Sequence, residues 1–303
     1  MKRRLLAGAS ALALASPVIA NTYLARQAED LEPALSGTQH TFHWRGFDVA
    51  YTEAGDADDP DVLLLHGINA AASSQEWVEL FDALAEDHHV IAPDLPGFGS
   101  SERHPVTYDA EFYTNFVSEF AAAITEDATW VASSLTSAYA AAAAEDADCA
   151  ELVLICPTTT TMGQRPWVQT LIRLPILGQT LFNLVASKRS IRHFSADHSY
   201  YDEAEITDER TDYEWQTAHQ PGARFAPAAF VSGALDSDID LGETLAALDV
   251  PVTIVWGNDA DISPVSEGRK LAKEADAKLF VFKRAKLLPH VERSEKVFEK
   301  VFA

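Results

Sequence analysis

The stretch Ala128 to Ser137 reads Ala-Thr-Trp-Val-Ala-Ser-Ser-Leu-Thr-Ser and decides the fold; the alanine-rich run Ala138 to Ala144 follows it. An apolar, β-prone segment leads into small residues around Ser134 and then into strong helix formers. This order predicts a strand, a tight turn and a helix, with the serine exposed at the tip of the turn. Ala132 and Thr136, two positions on either side, are small enough for the close backbone approach that such a turn imposes.

Short apolar runs alternate with helical segments on both sides of this junction. Continuous apolar runs are typical of parallel strands that are buried on both faces. Five of them occur, at Val62 to Leu65, His89 to Ala92, Leu152 to Ile155, Val252 to Gly257 and Lys278 to Phe282. The alternation predicts an α/β fold with a mostly parallel, doubly wound sheet.

The interval from 158 to 248 interrupts this alternation. It is too long for a simple crossover, so it predicts an inserted helical cap between the core segments 41–157 and 249–303. Insertions at the carboxyl ends of parallel strands lie where ligands bind. The aromatic side chains of the cap predict either an apolar pocket or the cap's own core; they are Trp167, Phe182, Phe194, Tyr200, Tyr201, Tyr213 and Trp215.

The composition is strongly acidic, with 46 Asp and Glu against 23 Lys and Arg and a net charge of −23. This charge argues against nucleic acid or anionic lipid as a partner of the folded part. It is typical of a protein adapted to high salt, although an acidic protein of ordinary habitat fits as well. Cys149 flanks a helix–strand connection and Cys156 ends an apolar strand, so a disulfide between them is possible but not required, and buried free thiols are favoured. The sequence has no Cys or His cluster at the spacing of a metal site, and it predicts no cofactor.

The first 24 residues have the pattern of an export signal. Lys2-Arg3-Arg4 precedes an uncharged apolar stretch from Leu5 to Ala20, and a signal peptidase site is predicted before Asn21. If the segment is not cleaved, Leu5 to Leu24 is just long enough to anchor the chain in a bilayer. We therefore expect an exported protein that is either extracellular or held on the outer face of the membrane by residues 5–24 only. Residues 25–40 read as a linker.

Four motifs in a fixed order resemble the α/β-hydrolase family, over about Thr41 to Ala303. They are Leu64-Leu65-His66-Gly67, Asp94-Leu95-Pro96-Gly97-Phe98-Gly99-Ser100, the Ser134 junction and Val255-Trp256-Gly257. The resemblance implies that Ser134 is a nucleophile and that the backbone N–H groups of Ile68 and Leu135 form an oxyanion hole. His66 is expected to pack its loop rather than act as a base.

The sequence departs from the family where a serine nucleophile needs its base and acid. The usual acid position is Ala260, so Asp259 and Asp261 on either side are the candidates. The usual histidine position is Leu287, and His290 lies three residues further on. His290 can act only if its loop is rearranged toward Ser134. Three cap histidines, His193, His198 and His219, are further candidates for the base.

Two functions fit this pattern. The first is a serine hydrolase that acts on a small apolar ester, amide or lactone through an acyl-enzyme at Ser134. The alternative is a catalytically inactive, hydrolase-fold binding protein at the cell surface. Dehalogenation and epoxide hydrolysis are excluded because they require a carboxylate at the position of Ser134.

Overall fold

The computed structural model describes residues 16–145, 147–161 and 163–303. Eight strands form one sheet in the order β1-β2-β4-β3-β5-β6-β7-β8. They are β1 (Thr38–Trp44), β2 (Phe47–Ala54), β3 (Asp61–Leu65), β4 (His89–Pro93), β5 (Ala128–Ser133), β6 (Cys149–Ile155), β7 (Val252–Gly257) and β8 (Lys278–Phe282). The six strands β3 to β8 pair in parallel with one another, whereas β1 pairs antiparallel with β2 and β2 pairs antiparallel with β4. The predicted α/β fold is confirmed.

The helices lie between the strands and in the interval after β6. The first, α1, covers 16–27 in the described part of the chain. The others are α2 (Val78–Leu84), α3 (Ala110–Ile124), α4 (Thr136–Ala144), α5 (Pro166–Arg173), α6 (Leu177–Val185), α7 (Lys188–Phe194), α8 (Asp208–His219), α9 (Phe225–Val231), α10 (Leu241–Ala247), α11 (Val265–Glu274), α12 (Pro289–Glu292) and α13 (Ser294–Val297). No helix within the described residues is long and apolar enough to cross a bilayer.

The apolar core has one cluster on each face of the sheet. Alternate residues of one strand serve the two faces: Leu63 and Leu65 join one cluster, whereas Val62 and Leu64 join the other. Trp130 and Ala132 in β5 belong to the first cluster and Val131 to the second. Strands buried on both faces therefore required the continuous apolar runs that the sequence shows.

Two segments around the sheet have regular local structure. Residues 25–40, the predicted linker, include the end of α1 and the start of β1. The chain after β3 forms a 3₁₀ turn, Ser74–Trp77, directly before α2. The Ser73 hydroxyl accepts from Gln75 N–H, and the Asp94 carboxylate accepts from Ser74 N–H at 2.6 Å. These side-chain acceptors hold the tighter turn.

The interval after β6 contains α5 to α10, and its contacts with the core are specific. Tyr139 in α4 donates its hydroxyl hydrogen to Leu235 O at 2.6 Å. The Glu292 carboxylate, beyond β8, accepts from Tyr201 N–H at 2.8 Å and from Asp202 N–H at 3.1 Å. These bonds set the interval over the carboxyl ends of the parallel strands.

Candidate active site

Ser134 lies at the turn between β5 and α4, in the left-handed region with φ of +53°. A residue with a Cβ pays about 1–2 kcal/mol for this conformation. The turn is held by Ser134 N–H, which donates to Ile155 O at 2.8 Å, and by Thr158 N–H, which donates to Ser134 O at 3.2 Å. The side chain is half-buried, so its hydroxyl lies at the predicted tip without being closed off.

Two backbone donors flank this serine. Ile68 follows the His66-Gly67 pair at the end of β3, and Leu135 follows Ser134 at the start of α4. Both residues are buried, and within the described part of the chain neither N–H donates to another group. Buried backbone N–H groups are normally paired. Two unpaired donors beside a nucleophile position have the character of an oxyanion hole.

His66 is a structural residue. Its Nε2 accepts from Leu95 N–H at 3.0 Å, so the ring proton is on Nδ1, which donates to Gly67 O at 2.7 Å. Its carbonyl oxygen accepts from the Thr136 hydroxyl at 2.8 Å. The ring therefore joins the β3 loop to the loop after β4 and has no free nitrogen with which to accept a proton.

The two candidate acids lie at the surface. Asp259 accepts from Arg284 N–H at 2.9 Å, and Asp261 is exposed. Ala260 between them is buried, as an inward-facing position requires, but it carries no carboxyl group. Leu287, at the usual histidine position, packs against the main apolar cluster.

His290 is buried and has a different carboxylate partner from those predicted. Its Nε2 lies 3.1 Å from Glu76 Oε1, an ion-pair distance that does not meet the angle of a regular hydrogen bond. The ring also packs on Trp77, with 4.8 Å between the ring centroids. The predicted pairing of His290 with Asp259 or Asp261 is therefore replaced by a pairing with Glu76, which precedes Trp77 on the 3₁₀ turn.

Glu76 brings this pair next to the serine turn. Its Oε2 accepts from Gly67 N–H at 2.8 Å. A methyl group on Gly67 would lie 3.2 Å from Glu76 Oε2, 3.2 Å from Ser133 Oγ and 3.5 Å from Ser134 Cβ. Gly67 is thus closely surrounded by three side chains: the Glu76 carboxylate, Ser133 and Ser134.

The charge of Glu76 follows from opposing effects. Burial alone raises the pKa of its carboxyl group, but the close contact and charge interaction with His290, together with the Ser133 hydroxyl, outweigh burial and lower the pKa. Glu76 is therefore ionised at neutral pH. The sequence does not predict the pairing of Glu76 with His290. An acidic residue just before a helix is common, and the two residues are more than 200 positions apart in the chain.

The remaining titratable candidates do not join this group. His193 is exposed, and His198 lies 3.3 Å from Asp197 in its own turn. His219 stacks on Trp215, its Nδ1 lies 2.7 Å from Trp215 O, and burial lowers its pKa. Of the cap aromatics, Trp167 is 67% exposed and Phe194 is also exposed, so neither lines a closed pocket.

Neither cysteine competes with Ser134 as a nucleophile. Both are buried free thiols. Cys156 follows β6 beside the serine turn, but burial raises the pKa of its thiol to about 12, so it stays protonated. Among the described residues, no group of three or more His, Cys, Asp and Glu side chains is placed to hold a metal ion.

Comparison with known proteins agrees with this fold. A model of the alpha/beta hydrolase family matches residues 62–300. Among curated proteins, an uncharacterized hydrolase of Saccharomyces cerevisiae is 48% identical over 67 residues, 22% of each chain. A haloalkane dehalogenase of Bradyrhizobium diazoefficiens is 41% identical over 63 residues, 21% of this chain and 20% of the dehalogenase. The matched segments span only about a fifth of these relatives.

Solved structures are similar over a much larger part of the chain. A serine hydrolase involved in carbazole degradation has a TM-score of 0.71 at 19% identity, covering 87% of this chain and 96% of that one. A membrane phospholipase A, described as a bacterial virulence factor, has a TM-score of 0.67 at 22% identity, covering 99% and 96%. At these identities the likeness concerns the fold. With the family model matching most of its length, the chain belongs to the alpha/beta hydrolase family.

Proposed function

We propose that this protein is a serine hydrolase that transfers the acyl group of a small ester, amide or lactone to Ser134 and then to water. The strained serine turn beside two unpaired backbone donors carries the proposal. Strain at a single residue persists where the surrounding structure holds it, and it concentrates at functional sites. Ile68 and Leu135 N–H would bind the oxygen that becomes negative when Ser134 attacks a carbonyl carbon.

The proton of Ser134 needs an acceptor other than the usual histidine. We assign this role to the Glu76 carboxylate, which lies across Gly67 from Ser134. Its lowered pKa makes it a weak proton acceptor, so we expect acylation of Ser134 to be slow. In the first step the Ser134 oxygen bonds to the carbonyl carbon and its proton passes to Glu76. The leaving group departs with that proton, and water then releases the acid from Ser134. His290 is a positioning residue that holds the Glu76 carboxylate.

Two side chains support the second candidate, a binding protein without turnover. Ala260 and Leu287 are apolar at the positions where the family has its acid and base, and Leu287 packs on the core. General acid–base catalysis contributes about 10²- to 10⁴-fold to rate, so an enzyme that uses Glu76 instead is expected to be slow. The dehalogenase relative does not provide a third candidate, because Ser134 is not a carboxylate.

Labelling with a fluorophosphonate probe distinguishes the two candidates. We expect the wild-type chain to be labelled and Ser134→Ala to be unlabelled, with slow release of p-nitrophenol from a short-chain nitrophenyl ester by the wild type alone. Ser133→Ala is the matched control and should keep its label at Ser134. A folded wild-type chain that is neither labelled nor active would contradict the hydrolase proposal and support the binding protein.

A further inference from the structure

The acidic residues of this chain are absent from two long segments. Neither 1–28 nor 152–196 contains an Asp or a Glu, although the whole chain has 46 of them. The same segments carry nine of the 23 Lys and Arg residues, four in the first and five in the second. The net charge of −23 is therefore an average over a chain with a basic part. The negative net charge therefore does not exclude anionic lipid as a partner of that part.

The exposed apolar side chains are concentrated in the same segments. Of the 13 large apolar side chains exposed in the described residues, ten lie in 16–28 or 152–196. We call six of them the apolar face: Val18, Ile19 and Tyr23 on α1, and Ile176, Leu177 and Leu184 at α6. Leu177 and Leu184 lie seven positions apart, on one side of α6. Ile19 and Leu184 are 68% and 65% exposed.

The structure brings the two segments together. The Asn21 side chain of α1 donates to Ile176 O at 3.3 Å and to Thr180 Oγ1 at 3.1 Å, and it accepts from Asn183 Nδ2 at 3.0 Å. The exposed stripe of α6 adjoins the helix side that makes these contacts. Val18, Ile19, Thr22, Tyr23 and Arg26 line one shallow depression on α1. The Asn21 bonds therefore place the exposed apolar residues of α1 and α6 on neighbouring helices, and Arg26 lies beside those of α1.

Salt bridges at α7 limit how much positive charge remains. Lys188 pairs with Asp212 and Arg192 pairs with Asp208, so these two side chains are neutralised by α8. Arg26 and Arg189 have no acidic partner within the described part of the chain.

We propose that the apolar face docks on an anionic lipid bilayer. Apolar side chains on one face with basic residues around them are the features of a surface that lies in the membrane interface. Each Lys or Arg near an anionic surface strengthens binding by about fivefold. This surface includes α6, so the association extends beyond residues 5–24. The docking does not depend on the hydrolase proposal, because it involves none of the residues at Ser134.

An environment-sensitive fluorophore tests the contact. The full chain with Leu184→Cys is labelled with nitrobenzoxadiazole, since both native cysteines are buried. We expect a blue shift and a several-fold rise in emission on phosphatidylglycerol-containing vesicles, and less on phosphatidylcholine alone. Ile262→Cys is the control, because Ile262 is similarly exposed but lies outside the two segments.

Arg26→Gln should weaken the partition of the chain to the anionic vesicles about fivefold. Arg269→Gln, which replaces an exposed arginine of α11, should leave this partition unchanged.

Three outcomes would overturn the proposal. If the chain floats with vesicles while position 184 stays in water, residues 5–24 alone hold it. Equal shifts at positions 184 and 262 would mean nonspecific adsorption. A shift at position 184 that depends on protein concentration without lipid would assign the face to a second copy of the chain.

Discussion

His290 and Glu76, far apart in the chain, form a buried pair beside the serine turn, with 3.1 Å between His290 Nε2 and Glu76 Oε1. The pair occupies neither of the positions at which a hydrolase of this family has its acid and base. It ties the loop after β8 to the turn before α2. Its effects on stability and on reactivity can be measured separately.

Replacing Glu76 by Gln should lower stability and remove part of its pH dependence. The pKa of Glu76 in the folded chain is below its ordinary value of 4.5. Its ionised form therefore contributes stability that is fully present above pH 4.5 and lost as pH falls through the folded pKa. At pH 7 we expect a loss of about 1.5–3 kcal/mol, as for a hydrogen bond to a charged group.

Urea denaturation between pH 3 and pH 7 measures this effect. The difference in the free energy of unfolding between wild type and Glu76→Gln should become smaller as the solution becomes acidic. Glu86→Gln, an exposed change just after α2, is the control and should leave the profile unchanged. A difference that stays constant over the whole pH range would show that Glu76 is not ionised in the folded chain. Slower fluorophosphonate labelling of Glu76→Gln would support its role as proton acceptor.

Restoring the family's acid and base should increase turnover. We expect Ala260→Asp combined with Leu287→His to raise the rate of ester hydrolysis by about 10²- to 10⁴-fold, the contribution of general acid–base catalysis. The measurement is p-nitrophenol release from a short-chain ester. The same pair in a Ser134→Ala background is the control and should gain nothing. No increase in a folded double variant would mean that the serine turn and its donors cannot support acyl transfer.

The backbone strain at Ser134 should be measurable as stability. The free energy of unfolding of Ser134→Gly should exceed that of Ser134→Ala by about 1 kcal/mol, because glycine adopts positive φ without a Cβ penalty. Ser134→Gly should therefore unfold at a higher denaturant concentration. Both variants lack the hydroxyl, so the difference reports the backbone. Position 133, in β5, is the control, and there the glycine variant should be the less stable one. Equal stabilities at position 134 would mean that the turn relaxes when the hydroxyl is removed.

Glu292 should be more important for stability than other carboxylates near it. It accepts from Lys286 N–H at 2.9 Å as well as from Tyr201 and Asp202. Glu292→Gln keeps one acceptor oxygen and turns the other into a donor that faces an N–H group. We expect a loss of about 1.5–3 kcal/mol and faster hydrogen exchange at Tyr201 and Lys286. Glu295→Gln, an exposed change in α13, should alter neither the stability nor these exchange rates. Equal stability losses for the two variants would contradict the special importance of Glu292.

The parallel sheet and the serine turn could be read from the sequence because their signals are local. Five apolar runs match β3, β4, β6, β7 and β8, and the residues around Ser134 carry the small-residue pattern of a tight turn. The missing base and acid were visible for the same reason, since Leu287 and Ala260 follow strands at recognisable spacing. Ala260 and Leu287 occupy the expected positions in their loops, but neither side chain can donate or accept a proton.

The partner of His290 could not be read, because it depends on contacts between distant parts of the chain. Glu76 reaches the site only after Ser73 and Asp94 turn the chain tightly before α2. The choice of Asp259 or Asp261 assumed that a flanking carboxylate would turn inward. The Asp259 carboxylate instead accepts a hydrogen bond from Arg284 N–H. This arrangement is more favourable than turning the charged side chain inward, because burying an unpaired carboxylate has a large desolvation cost.

The bonds of Glu292 also bear on how a substrate would reach Ser134. One carboxylate holds both the segment at Tyr201 and the loop that precedes His290. Lys286 adds two more bonds, from its Nζ to Ala196 O and Asp197 O, each at 2.8 Å. These bonds join residues 196–202 to the loop after β8. If the interval after β6 has to open for a substrate to reach Ser134, we expect it to open elsewhere, because displacing it here would break these bonds and disturb the loop that carries His290.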